Sequence, residues 1–271
     1  MNTASRLVTT ERHGAVLCIR LTSPHNRNSL TLELREQIGD AVREAERDAS
    51  IRSVLMTADG PTFCSGGDLH HIKRACDPWT VHRRIRDLSS WFAPLLALEK
   101  PVVVAMQGPA VGGGMGLALA GDLVIAAESA EFVVGFFRLG VLPDLGVLHF
   151  LPRLIGMART RNFLFGSAGR LSAREAQDWG LVARVVPDDA LFDSAMQEAQ
   201  RLATGPAEVM GLTKSLLARS FETGRADMLS IEGLGQALAM SSAEFREGLD
   251  AALDKRRADF AGAAARSRAS T

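Results

Sequence analysis

Apolar and polar positions come in blocks along this chain, and the blocks change period. Residues 15–21 (AVLCIRL) and 53–58 (SVLMTA) are short apolar runs between polar turns, the pattern of two strands. Between them Leu34, Ile38, Ala41, Val42 and Ala45 recur at helical spacing behind Thr31, which predicts a helix with one apolar face. Residues 101–106 (PVVVAM) and 122–127 (DLVIAA) are unbroken apolar runs of the kind buried on both faces of a parallel sheet. The glycine-rich stretch joining them makes 101–127 read as strand, turn, helix, strand. Such alternation predicts an α/β core. Beyond residue 146 the texture changes. SARE at 172–175 has the form of a capping box, 181–187 (LVARVVP) is one last strand-like run, and only helical segments follow from Asp188. SSAE at 241–244 has the form of a second capping box. The chain thus divides into an α/β core over 1–190 and a helical region over 191–271, with a tail from about 261 expected to lack fixed structure.

Composition narrows the classes. A chain of 271 residues, 46% hydrophobic, can bury a core without disulfide or metal staples. Lys and Arg number 31, as do Asp and Glu, so the formal charge is zero and nothing points to nucleic acid or a membrane surface. Cys18, Cys64 and Cys76 form no CxxC pair and no disulfide framework, and the first fourteen residues lack an apolar signal core, so a cytoplasmic location is expected. The apolar stretch 101–127 is interrupted by Gln107, Pro109, Asp122 and several glycines, which argues against a membrane span.

Several motifs point nowhere. Gly112, Gly113, Gly114 and Gly116 do not make GxGxxG, because the last glycine falls on Leu117. GLTKS (211–215) has its glycine too close to the lysine for a phosphate loop. His70 and His71, about 100° apart on a helix, are a poor chelate, and no metal site is expected. Cys64 reads as a buried inert thiol and Lys255-Arg256-Arg257 as a charged helix face.

Two glycine turns remain: FCSGGDL (63–69) and AVGGGMG (110–116). A pair of bare N–H groups holds a developing oxyanion, and one that opens a helix gains from the helix dipole. Brought together, the N–H groups of Gly67 and Gly113 suit a thioester carbonyl, whose α-proton becomes removable once the enolate oxygen is held. The plain alternative is two tight turns at strand ends.

These segments, with SPHNRNSL (23–30), KPVVVAMQGPAVGGGMGLALAGDLVIAAESAEF (100–132), RLGVLPDLG (138–146), LPRLIG (151–156), LSAREAQDWGLVARVVP (171–187) and FREGLDAALDKRRADF (245–260), make the chain resemble the crotonase superfamily, the enoyl-CoA hydratase/isomerase family. The resemblance implies a spiral of ββα units with a helical C-terminal trimerisation region, a homotrimer or dimer of trimers, and an acyl-CoA thioester as ligand. It implies no metal or redox cofactor; coenzyme A arrives as part of the substrate. By position it assigns the oxyanion donors to the N–H groups of Gly67 and Gly113. Arg27 falls where a basic residue approaches the CoA phosphates, and Ser65, Asp68 and Leu69 fall where the loop passes the adenine. Lys255 falls near a C-terminal position that reaches a neighbour's CoA.

The family's hydratases use two glutamates. Their positions here are Gly116 and Phe136, so both carboxylates are absent. One acid remains nearby in the pattern: Asp144, where isomerase branches such as the Δ3,Δ2-enoyl-CoA and 1,2-epoxyphenylacetyl-CoA isomerases carry a carboxylate. A single carboxylate suits isomerisation, taking a proton from C2 and returning it at C4. Leu142, Leu145 and Phe136 are expected to enclose Asp144 and desolvate it. The competing role for Asp144 is to cap a helix beginning near Leu145. Phe92, Phe132, Phe136 and Phe137 are candidates for an acyl slot or for core, His149 is a weaker candidate for the site, and Glu131 and Arg138 are expected in surface ion pairs. Three functions stay open: an isomerase working through Asp144, a hydratase, and an acyl-CoA-binding paralogue without catalysis.

Overall fold

A computed structural model describes residues 6–74 and 77–269 of the chain. Cys76 lies outside them. The main sheet has six strands, β1 (Val8–His13), β2 (Val16–Leu21), β3 (Ser53–Ala58), β4 (Val102–Met106), β6 (Leu123–Ala127) and β9 (Arg184–Val186), in that spatial order. β1 is antiparallel to β2, turning at Gly14, and every other pairing is parallel. β3 and β4 are buried throughout, which is why their sequences are unbroken apolar runs. A second sheet of three short strands, β5 (Pro109–Val111), β7 (Glu131–Val133) and β8 (Arg170–Ser172), stands beside it. These three, and the polar edge strand β1, are too short or too mixed to stand out in the sequence.

The predicted helix is α1 (Leu32–Arg47). The Thr31 hydroxyl accepts from the Leu34 N–H at 3.2 Å, and the buried face is Leu34, Ile38, Ala41, Val42 and Ala45 with Gly39. α2 (Leu69–Arg74), α3 (Pro78–Arg86) and α4 (Leu88–Ala97) connect β3 to β4. Gly39 lets α1 approach α4: a Cβ there would stand 3.1 Å from that of Trp91. α5 (Gly113–Leu119) joins β5 to β6 and is buried along its whole length. α6 (Val147–Phe165), broken at Gly156 (φ 76°), leads to β8, and α7 (Ala173–Trp179) leads to β9. The capping box at α7 forms as read: Ser172 and Glu175 exchange side-chain and backbone hydrogen bonds.

Helices α8 (Leu191–Ala203), α9 (Ala207–Leu217), α10 (Arg225–Ser241), α11 (Ala243–Leu253) and α12 (Phe260–Ala269) complete the chain. α8 belongs to the core rather than to an appendage. Its Ala195 and Ala199 are fully buried, and the Ser53 hydroxyl donates to the Ala199 carbonyl at 2.8 Å. Two expectations are corrected here. The tail is not structureless from 261: α12 runs to Ala269, and Ala263 and Ala264 are buried. The second capping motif is displaced by one residue: Ser242, not Ser241, caps α11 by accepting from the Phe245 N–H at 3.0 Å. Glu244, expected to close that box, is 1% exposed and turns inward to Arg52 instead.

Candidate functional site

The two glycine turns meet. The Val111 N–H donates to the Cys64 carbonyl at 2.9 Å, and the Cys64 N–H approaches the Pro109 carbonyl at 3.4 Å, so the loop after β3 runs beside β5. Gly66 (φ 83°) then turns so close to the second loop that a Cβ would stand 2.5 Å from the Val111 carbonyl oxygen and 3.2 Å from the Gly113 nitrogen. A Cβ at Gly114 would fall on the Cys64 carbonyl. Glycine at these two positions is thus the condition for the approach. Gly112 (φ 54°) turns the chain into α5, its N–H held by the Val133 carbonyl at 2.9 Å. Gly113 follows as the first residue of α5, its N–H pointing out of the helix start. Among the described residues no hydrogen bond uses the N–H of Gly67 or of Gly113.

The flanking residues are tied to the same loop. The Ser65 N–H donates to the Arg27 carbonyl at 3.0 Å, and the Leu30 N–H to the Gly66 carbonyl at 2.8 Å. Arg27 (φ 57°) is exposed with its side chain toward solvent beside this loop. Asp68 precedes α2 and accepts from the His70 N–H at 3.0 Å, while Leu69 is 55% exposed. Lys255 lies beyond the end of α11 at φ 55°, so 255–257 do not form the charged helix face expected, and among the described residues no hydrogen bond or ion pair joins Lys255 to this group. Cys64 is fully buried, and burial pushes its thiol up to about 12, away from the thiolate form. Burial pushes the Cys18 thiol up to about 11.

The third part arrives from the loop between β7 and α6. Phe136, 5% exposed, sets its ring 3.7–3.8 Å from the Cβ position at Gly112. The chain runs on through Asp144 and two left-handed residues, Leu145 (φ 49°) and Gly146 (φ 75°), into α6. The Asp144 Oδ1 lies 3.7 Å from the Cβ position at Gly113. Leu145 covers that glycine, its Cδ1 2.6 Å from the same position. At Gly116, a side chain would start on the Leu145 carbonyl oxygen, with the Leu145 Cβ 2.8 Å away. The space that a hydratase glutamate would need at 116 is therefore filled by main chain.

Asp144 does not cap the helix. α6 begins at Val147, not near Leu145, behind Gly146, and no side chain caps it. The expected enclosure of Asp144 is only partly formed. Leu145, next in the chain, is buried, and Phe136 is buried against Gly112, but Leu142 is 79% exposed and Asp144 is open to solvent in the single chain. The expected aromatic wall also splits. Phe92 and Phe132 are buried away from solvent, and only Phe136 and Phe137 lie on the Asp144 loop, with Phe137 stacked on Phe165 at 5.7 Å. Glu131 pairs with Arg170, as expected of a surface carboxylate. His149 sits edge-on to Phe150 in the first turn of α6 and lines a different space. That space, a cavity of about 1000 Å³, runs between the end of α5, α6 and α9, with Leu119, Phe150, Leu202, Met210 and Phe221 in its walls. None of Gly67, Gly113 and Asp144 lines it. Among the described residues there is no cluster of His, Cys, Asp and Glu fit for a metal ion, and no helix is long and apolar enough to cross a membrane.

Residues 11–263 match the enoyl-CoA hydratase/isomerase family. The chain belongs to that family. Among curated relatives it is 40% identical to the 1,2-epoxyphenylacetyl-CoA isomerase of Escherichia coli K12, over 91% of this chain and 95% of that one. It is 35% identical to a probable enoyl-CoA hydratase of Rhodobacter capsulatus, over 90% and 93%. The crystal structure of an enoyl-CoA hydratase/isomerase from Cupriavidus metallidurans CH34 superimposes with a TM-score of 0.89 at 33% identity, covering 94% of this chain and 96% of that one. The crotonase spiral read from the motifs is thus the fold. Two features of this family member escaped sequence reasoning: the left-handed Leu145, which no residue preference signals, and the inward turn of Glu244, hidden by its resemblance to a capping residue.

Proposed function

We propose that this chain is an enoyl-CoA isomerase that moves a double bond from Δ3 to Δ2, or performs a related isomerisation, with Asp144 as its single acid and base. The observation that carries this reading is the Asp144 carboxyl beside Gly113, with a glycine at 116 and a phenylalanine at 136 where two further carboxylates would stand in a hydratase. The thioester carbonyl binds between the N–H groups of Gly67 and Gly113. Asp144 takes the proton from C2, the negative charge passes to the thioester oxygen of a dienolate, and the two N–H groups stabilise it. The carboxyl group then returns the proton at C4, restoring the carboxylate as the double bond moves into conjugation. α5 adds the positive end of its dipole at Gly113.

The acyl-CoA thioester is the substrate, with CoA reaching past Arg27, Ser65, Asp68 and Leu69, and no separate cofactor takes part. Phe136 borders the acyl group. Assembly as a homotrimer or a dimer of trimers is supported by α10, which has no buried residue in the single chain and exposes Leu229, Leu234, Leu238 and Met240. In such an assembly Lys255 serves a neighbouring CoA. Hydration is the second reading. It is favoured by the exposure of Asp144 to water and by similarity to a relative named as a probable hydratase.

The deciding experiment follows ultraviolet absorbance as 3-hexenoyl-CoA becomes conjugated, for wild type and Asp144→Asn, with crotonyl-CoA hydration measured beside it. Isomerisation falling by about a hundred-fold or more in the variant supports the reading. Equal rates for the two proteins remove it, and crotonyl-CoA hydration outrunning isomerisation favours the hydratase.

A further inference from the structure

Leu145 is a branched-chain apolar residue in the left-handed region, at φ 49°. A Cβ opposes that conformation, and glycine or asparagine is its usual occupant. The conformation is nevertheless held on both sides. The Leu145 carbonyl and Cβ sit in the space left by the missing side chain of Gly116, and its Cδ1 lies over Gly113. Its own side chain is 5% exposed. Immediately before it, Asp144 presents Oδ1 to the same Gly113, and immediately after it Gly146 starts α6. One backbone turn therefore joins the carboxylate, the donor glycine and the helix start.

We infer that Leu145 is a positioning residue: its left-handed backbone, seated against Gly113 and Gly116, aims the Asp144 carboxylate at the reacting carbons. The inference rests on the reading of Asp144 as the acid and base. It makes a demand that packing alone does not. If Leu145 only fills space, isoleucine replaces it better than glycine, because isoleucine matches its size and apolar character. If the backbone turn matters, the order reverses. Isoleucine, branched at Cβ, resists a positive φ, while glycine adopts it freely.

Purified Leu145→Gly, Leu145→Ile and Asp144→Asn are compared with wild type on 3-hexenoyl-CoA, with kcat and KM measured separately and thermal unfolding recorded for each. We expect Leu145→Ile to lose at least about ten-fold in kcat with KM changed by less than about two-fold. Leu145→Gly should lose less than about three-fold in kcat. Leu145→Gly should unfold at the lower temperature of the two, because it removes a buried side chain while Leu145→Ile keeps its volume, so a lower kcat in the more stable variant is not an effect of lost packing. Leu145→Ile equal to or more active than Leu145→Gly, with Asp144→Asn inactive, overturns this inference and leaves the isomerase reading standing. Full activity in Asp144→Asn, or a wild type that does not turn over, removes that reading and this inference with it.

Discussion

Two regions of the molecule solve opposite problems. The candidate site, where the loops at 63–69 and 110–116 meet, is made almost wholly of main chain, and what matters there is the absence of side chains at Gly66, Gly114 and Gly116. The junction between the sheet and the C-terminal helices is made of long charged side chains in a dry place. Arg52 donates to the carbonyls of Ala203 at 2.8 Å and Gly205 at 2.6 Å and to the Glu244 carboxylate at 2.8 Å, whose other oxygen accepts from the Glu208 N–H at 3.2 Å. The Arg52 side chain is 5% exposed and that of Glu244 1%. The first region fails by gaining an atom, the second by losing one. A main-chain site needs no side-chain rotamer to be correct before substrate arrives, which is how fixed N–H groups stabilise charge without reorganising. The junction uses directional hydrogen bonds to set how the ends of α8, α9 and α11 meet, at the desolvation cost of a buried ion pair.

The largest expected effect lies in the junction. Glu244→Ala leaves Arg52 buried without its counter-charge and should lower stability by about 3–5 kcal/mol, read from urea or thermal unfolding. The paired substitution Arg52→Met with Glu244→Leu should recover most of that loss, because both charges leave together. A single variant as stable as wild type would break the contrast between the regions. Next comes Gly114→Ala, whose added methyl group meets the Cys64 carbonyl and forces α5 from the first glycine turn. It should cost about 1–3 kcal/mol in stability and lower kcat on 3-hexenoyl-CoA well beyond what the stability change explains. Stability lost with kcat intact would show that the two turns do not have to touch.

The smallest effect is one of pH, at the surface between α11 and α12. Glu247 accepts from the Arg256 guanidinium at 2.6 Å and from the Asp259 N–H at 2.7 Å, and these bonds hold its carboxyl down to about 2. A carboxyl with a depressed folded-state pKa adds stability above its ordinary range, and that stability is lost as pH falls through the ordinary value toward 2. Wild type should therefore be more stable than Arg256→Gln at neutral pH, with the difference closing between about pH 5 and 2. Carboxyl NMR should show Glu247 titrating nearer its ordinary value in the variant. The same pH dependence in both proteins would mean that the pair is not formed in solution.

Local rules carried the reading a long way. β3 matches residues 53–58 residue for residue, α1 buries the face its spacing indicates, and the box at Ser172 and Glu175 forms as written, because each depends on neighbours within a few residues. The same logic misread SSAE at 241–244. Ser242 is as good a cap as Ser241, and the pull on Glu244 comes from Arg52, 192 residues away. Asp144 shows the division most clearly. Its candidacy was legible from the missing carboxylates at 116 and 136. Its freedom from the helix cap depended on where α6 starts, and its exposure on how far Leu142 turns outward.

The sequence by itself determined the α/β order, the family, the two glycine turns and the candidacy of Asp144. Only the tertiary structure decided that Gly66 lies against Val111 and Gly113, that Leu145 takes a left-handed turn into the space at Gly116, and that the Asp144 carboxyl faces Gly113. The physical reason is range. Periodicity, caps and turn chemistry act over a few residues of chain. The meeting of Gly66 with Gly113 depends on main-chain hydrogen bonds between Cys64 and β5, and a backbone conformation that an L-residue resists holds only when packing from distant elements outweighs its local cost.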